Sequence, residues 1–228
     1  MFSAKADYRD YLHKVTTHIG RITGEATKLD PMATASTFPV VTTDGNENVF
    51  KYADAASSRA GFGTINAKFA GQRIGIVGGC GTGAYVLDLV AKTLVAEVHI
   101  FDGDTFFNHN AFRAPGAPSL EQLRQKPQKV VYLAGIYENM RSGIVRHDLY
   151  IDQSNVAFLD GLDFVFVCMD RGASKRIVIE RLVANGTPFI EVGMGIINRD
   201  GGLSGIVRVV CYLTSTSRKR TPNTRCVR

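Results

Sequence analysis

The chain has 228 residues, of which 45% are hydrophobic and 21% are charged. This composition is typical of a globular protein with one large domain and excludes the disordered, fibrous and membrane classes. The net charge of +6 comes from residues 201–228, which contain six cationic side chains and no acidic one, so the remaining chain is neutral and does not indicate nucleic-acid binding.

The apolar runs are shorter than the roughly 20 residues that a membrane span needs, and the N-terminus lacks the apolar region of a signal peptide. The four cysteines lie far apart without a C-x-x-C pair, so neither a disulfide framework nor a zinc ribbon is indicated. We therefore expect a cytoplasmic protein with no membrane partner.

Residues 1–60 predict a helical extension. Apolar residues at three- and four-residue steps indicate an amphipathic helix from Asp7 to about Asp30, where Asp30-Pro31 ends it. Residues 31–50 are expected to be mostly loop, with one extended piece at Phe38–Val41. A second short helix is expected from about Phe50 to Ala60.

From Arg73 onward, strands alternate with helices. Predicted strands are Arg73–Val77, Glu97–Phe101, Ile144–Ile151, Phe164–Cys168 and Pro188–Val192, and predicted helices are Gly83–Val95, Ser119–Met140 and Ala173–Ala184. Near-continuous apolar strands in such an order predict a mostly parallel sheet with helices on both faces, a Rossmann-like, doubly wound α/β fold. We assign residues 61–214 to this nucleotide-binding domain and 215–228 to a basic tail.

A glycine-rich turn lies between the first strand and its helix, where backbone can approach a phosphate near a helix N-terminus. Its glycines are Gly78, Gly79, Gly81 and Gly83. Asp102 follows the second strand, 19 residues after Gly83. This spacing is close to the roughly 20 residues at which a carboxylate binds a ribose in such folds. The pattern favours a nucleotide site over a purely structural tight turn, but these features alone fit a dinucleotide or a mononucleotide.

The loop after Asp102 adds groups that suit a triphosphate. Asn110 and Arg113 lie three residues apart, and Lys129 lies within the next predicted helix, Ser119–Met140. Arginine binds phosphate in a bidentate manner and lysine supplies a point charge, whereas hydride transfer needs neither. Asp170 follows a buried strand, where a carboxylate suits Mg²⁺ shared with phosphates; the alternative is that Asp170 caps the next helix.

From about Arg59 to Val209 these residues resemble the ThiF/MoeB/ubiquitin-activating adenylyltransferase family, and in particular its bacterial ThiF-like branch. The glycine-rich turn is similar to the family's G-x-G-G-x-G, with Cys80 at a middle glycine, and Asp102-Gly103-Asp104 is similar to its D-x-D. Further matches are Asn110-Ala111-Phe112-Arg113, Lys129, Asp170, and Ser58-Arg59-Ala60. Relative to the family, the chain looks short at its C-terminal end.

The resemblance implies a homodimer that uses ATP and Mg²⁺ to adenylate the C-terminal carboxylate of a ubiquitin-like or sulfur-carrier protein. Asp102 would hold the ribose beside Asp104, and Asp170 would bind Mg²⁺. The phosphates would be bound by Asn110, Arg113, Lys129 and, across the dimer, Arg59. Two alternatives stay open: a catalytically impaired relative that binds a nucleotide or a partner, and an NAD(P)-dependent oxidoreductase.

Overall fold

The computed structural model describes residues 7–34, 48–170, 172–199 and 201–213, apart from the side chain of Ser58. The chain divides into two compact units, Met1–Val41 and Thr42–Arg228, each considered separately. None of the helices in these described ranges has the length and hydropathy that a membrane crossing requires. The extended piece expected at Phe38–Val41 and the basic tail lie outside the described residues.

The first unit contains one helix, α1 (Tyr11–Leu29), among its described residues. The carboxylate of Asp10 caps it by accepting a hydrogen bond of 2.7 Å from the His13 N–H. The helix ends at Leu29, with Asp30 as its C-cap, as Asp30-Pro31 predicts. No residue of α1 is buried, so its apolar stripe is exposed.

The second unit contains the remaining elements, in the order α2 (Ala55–Ala60), α3 (Gly63–Asn66), β1 (Arg73–Val77), α4 (Thr82–Val90), β2 (Glu97–Phe101), α5 (Asn108–Ala111), α6 (Leu120–Arg124), α7 (Lys129–Glu138), β3 (Ile144–His147), β4 (Phe164–Val167), α8 (Gly172–Asn185), β5 (Phe189–Arg199) and β6 (Gly202–Tyr212). Short 3₁₀ turns lie at Ala67–Phe69 and Val156–Leu159.

The strands form one six-stranded sheet in the order β3-β2-β1-β4-β5-β6. Strands β1 to β5 pair in parallel, and β6 pairs antiparallel with β5. The chain moves outward from β1 in one direction through β2 and β3, then returns to the other side through β4 and β5. The predicted doubly wound α/β fold is confirmed, and its switch point lies between β1 and β4.

The two faces of the sheet have separate hydrophobic cores because side chains alternate along each strand. On one face, Ile76 and Ile100 belong to a cluster that includes Leu87 of α4 and Leu133 of α7. The other cluster contains Val77, Phe101 and Val167 from the sheet with Val178 and Leu182 from α8. Both faces are covered, as the near-continuous apolar strands predict.

The predicted helix over Ser119–Met140 is wrong, because the chain forms two helices, α6 and α7. Pro127 disfavours helical backbone at the residue before it, and Lys126 has a φ of 47°. Strand β3 is shorter than predicted and ends at His147. Strand β5 is longer than predicted, since it pairs with β6 as far as Arg199.

Arg141 is a buried cation that connects the end of α7 to the segment between α4 and β2. It is 1% exposed, and its guanidinium donates to backbone carbonyls that follow α4, those of Ala91, Thr93, Val95 and Ala96. Burial lowers the pKa of Arg141 to about 10, so it stays charged at neutral pH. Phe50 packs against this guanidinium.

The segment Val49–Lys51 is fixed to the same corner by backbone hydrogen bonds. The Lys51 N–H donates to the Met140 carbonyl, and the Ser142 N–H donates to the Val49 carbonyl, both at 2.8 Å. Residues that precede the sheet in sequence are therefore part of its packed structure.

A histidine pair lies on one face of β2 and β3. Nδ1 of His99 is 3.1 Å from Nε2 of His147, and its Nε2 is 3.0 Å from the Glu97 carboxylate. The His147 ring stacks on Phe101 with centroids 4.1 Å apart. Burial, together with the charge of His99, lowers the pKa of His147 to about 4.

This lowered pKa predicts acid sensitivity. His147 of the unfolded chain binds a proton below about pH 6.5, whereas His147 of the folded chain binds one only below about pH 4. The free energy of unfolding should therefore decrease as the pH falls from about 6.5 to about 4, by up to about 1.4 kcal/mol per pH unit. Urea unfolding at several pH values measures this slope. His147→Gln should flatten it, whereas His109→Gln at an exposed position should not; equal slopes in all three chains would contradict the prediction.

Candidate functional site

A cavity of about 600 Å³ opens at the carboxyl ends of β1, β2 and β4, beside the switch point of the sheet. Seven of the residues predicted from the sequence line it: Gly78, Gly81, Asp102, Asp104, Arg113, Lys129 and Asp170. The fold therefore brings together side chains that lie up to about 90 residues apart in the sequence.

Two glycines of the turn between β1 and α4 are required by close packing. A Cβ at Gly83 would lie 1.7 Å from the Gly78 carbonyl oxygen, and Gly78 has a φ of 98° with the Cys168 carbonyl 2.8 Å from its own Cβ position. Helix α4 follows Gly81 without a side-chain cap, which leaves its first amide groups suited to an anion.

Asp102 ties this turn to the end of β2. One carboxylate oxygen accepts the Gly79 N–H at 2.8 Å, and the other accepts the Asp104 N–H at 2.9 Å. The side chain is nearly buried but still lines the cavity. Gly79 itself does not line the cavity, and its N–H is committed to Asp102.

Lys129 begins α7 and points its ammonium at both acidic side chains of the Asp102–Asp104 turn. Its Nζ donates to Asp104 at 2.5 Å and lies 3.7 Å from Asp102. Although burial alone would lower the pKa of Lys129, the hydrogen bond to Asp104 and the charge of Asp102 together raise it. Asp104 also accepts a hydrogen bond from the Tyr150 hydroxyl.

Asn110 and Arg113 converge on the thiol of Cys80. Asn110 is 3% exposed and lies behind the cavity wall, where its Oδ1 accepts the Phe107 N–H at 2.8 Å. Its Nδ2 donates to the Cys80 Sγ at 3.3 Å, and Nη2 of Arg113 donates to the same sulfur at 3.2 Å. The amide is held in place, while the guanidinium reaches the sulfur from the open side.

Asp170 lies across the cavity from Lys129, after β4, and is exposed to solvent. It accepts no hydrogen bond from any described residue at the start of α8, so the helix-cap alternative finds no support there. Lys175 of α8 instead pairs with Glu191 at 2.7 Å. Within the described ranges, no group of three or more His, Cys, Asp or Glu side chains could hold a metal ion.

Arg59 is exposed on α2 and does not line this cavity, so the structure does not bring it together with the other predicted site residues. Conversely, the sequence did not predict Tyr85, Tyr150, Met169 or Met194, which do line it. Tyr150 follows the carboxyl end of β3, and the prediction that this strand extends to Ile151 concealed it as a site residue.

Residues 58–228 match the ThiF family. The chain belongs to this family. Residues 1–55 match a domain of unknown function, DUF6791, so the two matches meet near α2. A search of curated proteins found no match.

Two solved structures of proteins similar to this ThiF-family chain contain a nucleotide. The crystal structure of E. coli MccB with ATP has a TM-score of 0.54 and 16% identity, covering 66% of this chain and 43% of that one. E. coli tRNA N6-threonylcarbamoyladenosine dehydratase, TcdA, in complex with AMP has a TM-score of 0.52 and 19% identity, covering 62% of this chain and 63% of that one. The ThiF-family chain thus spans less than two thirds of either, and at this identity the likeness shows the fold.

Two helical glycines of this ThiF-family chain, Gly83 in α4 and Gly135 in α7, should respond in opposite ways to replacement by alanine. Gly83→Ala should destabilise the chain by about 3 kcal/mol or more, because the new Cβ would overlap the Gly78 carbonyl. Gly135→Ala in α7 meets no atom within 4 Å and should stabilise it by about 0.5–1 kcal/mol. Urea unfolding of both variants, or soluble yield if the first does not fold, checks this; an unchanged midpoint for Gly83→Ala would contradict it.

The Asp104–Lys129 pair predicts a second contrast. Asp104→Asn removes the negative charge that is hydrogen-bonded to the nearly buried ammonium of Lys129. This change should cost about 1–3 kcal/mol of stability. Asp170→Asn, at an exposed carboxylate, should change stability by less than about 0.5 kcal/mol. Chemical unfolding of the two variants provides the measurement, and a loss in Asp104→Asn as small as that expected for Asp170→Asn would contradict the prediction.

Proposed function

We propose that this chain is an ATP-dependent adenylyltransferase that activates the C-terminal carboxylate of a ubiquitin-like or sulfur-carrier protein. One observation carries the proposal: a single cavity at the switch point is lined by a glycine-rich turn, a ribose-binding type of carboxylate, two cations and a separate exposed carboxylate. Membership of the ThiF family supports it, and the similar MccB has been crystallised with AMPCPP and MccA.

In this proposal Asp102 binds the ribose and the turn between β1 and α4 receives the phosphates. Lys129 can keep its hydrogen bond to Asp104 and still donate to a phosphate, since an ammonium has three donors. Arg113 lies on the open side of the cavity and can bind phosphate in a bidentate manner. Asn110 supports the phosphate end from behind through its fixed amide.

The reaction requires alignment and charge neutralisation more than a base. The carrier's carboxylate is already ionised, and one of its oxygens attacks the α-phosphorus while the bond to pyrophosphate breaks. Arg113 and Lys129 stabilise the charge that moves onto the phosphates. The exposed carboxylate of Asp170 suits a Mg²⁺ ion shared with phosphate oxygens, and that ion would supply further neutralisation. No Ser-His-Asp or Cys-His set is needed.

The proposal extends to a homodimer in the cytoplasm. Arg59 lies outside the cavity of its own chain, so its proposed contact with the γ-phosphate requires the cavity of a partner copy. The carrier protein is the second proposed partner. A non-catalytic nucleotide-binding relative is the second candidate function, and it is favoured by the position of the Cys80 thiol among the donors proposed to bind phosphate.

Two measurements test the proposal on the parent chain and matched arginine variants. Titration calorimetry should detect Mg-ATP binding that Arg113→Ala weakens about tenfold to a hundredfold, whereas Arg124→Ala, at an exposed arginine of α6, leaves it unchanged. ATP–pyrophosphate exchange should depend on an added ubiquitin-like or sulfur-carrier protein and fall about a hundredfold or more in Asp170→Ala.

The outcomes separate the candidates. Binding of Mg-ATP without exchange for any carrier protein would favour the non-catalytic relative. Binding of NADH in place of ATP would favour an oxidoreductase. Failure of the parent chain to bind ATP under any of these conditions would contradict the proposed adenylyltransferase.

A further inference from the structure

Cys80 lines the cavity at the centre of the turn between β1 and α4. Its sulfur accepts hydrogen bonds from Asn110 and Arg113. The interaction of Cys80 with the Lys129 ammonium also contributes to the raised pKa of that lysine. Two side chains, one from α5 and one from the loop after it, therefore donate to one thiol, and the ammonium of Lys129 interacts with it electrostatically.

A thiol is a poor match for these neighbours. Sulfur is a weak hydrogen-bond acceptor, whereas guanidinium and ammonium groups bind best to anionic oxygens. The amide of Asn110 is fixed by its contact with Phe107, so its remaining donor keeps its direction whether or not the sulfur is present. Asn110 and Arg113 could therefore bind a stronger hydrogen-bond acceptor than the Cys80 sulfur that they contact.

The thiol lies at the cavity surface, so it can leave this position without a change in the backbone. Cys80 does not have a positive φ, since Lys126 is the one such non-glycine among the described residues. Because Cys80 is half-buried and lines the cavity, a rotation about χ1 between staggered positions would move the sulfur away from Asn110 and Arg113. The backbone turn, held by Gly78, Asp102 and Gly83, does not have to change.

We propose that the Cys80 sulfur occupies the phosphate subsite of the free chain and that a phosphate group of the nucleotide displaces it. This inference rests on the proposed nucleotide site and assigns to Cys80 the control of nucleotide affinity. Each binding event exchanges two hydrogen bonds to sulfur for hydrogen bonds to phosphate oxygen. Cys80 thereby lowers affinity without removing any group that binds the phosphates.

Alkylation of the whole chain tests whether the Cys80 thiol and a phosphate ligand share one site. N-ethylmaleimide labelling, followed by peptide mass spectrometry, should modify Cys80 in the free chain and become at least about tenfold slower with saturating Mg-ATP or with pyrophosphate, which lacks the nucleoside. Cys211 on β6 is exposed and serves as the internal control, with a rate that neither compound changes. A Cys80 labelling rate that saturating pyrophosphate leaves unchanged would overturn the inference.

Calorimetry on Cys80→Ala tests the effect on affinity. This variant removes the sulfur and keeps a Cβ, so it leaves the backbone freedom of the turn nearly unchanged; its Kd for Mg-ATP should be about threefold to tenfold lower than that of the parent chain. Arg124→Ala again provides a variant with unchanged affinity.

The failures of the two proposals are distinguishable. If the parent chain binds Mg-ATP but Cys80 labelling and the Cys80→Ala affinity do not change, the inference is wrong and the proposed nucleotide site survives. If neither the parent chain nor Cys80→Ala binds Mg-ATP, the proposed function is wrong and the inference falls with it.

Discussion

The Asp102 carboxylate is the contact on which the rest of the candidate site depends. It accepts backbone N–H groups from Gly79 on one side and Asp104 on the other, and so it joins the ends of β1 and β2 above the sheet. An unsatisfied buried N–H would be costly, so the carboxylate fixes both turns at once. The glycine-rich turn, the second acidic residue and the ammonium of Lys129 all take their positions from this junction.

Around that junction, the three side chains of the same chain that are proposed to bind phosphate have internal partners before any ligand arrives. Lys129 has Asp104, while Asn110 and Arg113 share the Cys80 sulfur. The two pairs differ in strength, because a carboxylate is a far better acceptor than a thiol. The ammonium of Lys129 is thus held in place by Asp104 before a ligand binds. In the proposed exchange, by contrast, the hydrogen bond from Arg113 to the sulfur is replaced by one to a phosphate oxygen. Preorganised charge is the usual source of stabilisation when a reaction needs no general base.

Much of the fold could be predicted because apolar strands and the glycine-rich turn are local patterns. Strands β1 and β2 coincide with their predicted bounds, and Asp102 and Asp170 follow from the rule that ligands bind beyond strand ends. The long helix failed because the effect of Pro127 on the preceding residue outweighed the apolar spacing. The contacts of Cys80 were not predictable, since they depend on Asn110 and Arg113, 30 and 33 residues further along the chain. The prediction for β5 ended too early, because the second half of this strand is held by pairing with β6, which begins at Gly202 directly after the turn.

The buried guanidinium of Arg141 has a consequence for how the chain can be divided. The family match begins at residue 58, yet Val49–Lys51 are hydrogen-bonded beside this arginine, and Phe50 covers its guanidinium. A fragment cut at the family boundary would open that corner to water and leave the Met140 carbonyl and the Ser142 N–H without their partners. The compact unit that contains the sheet therefore starts upstream of the ThiF match, within the residues that match DUF6791.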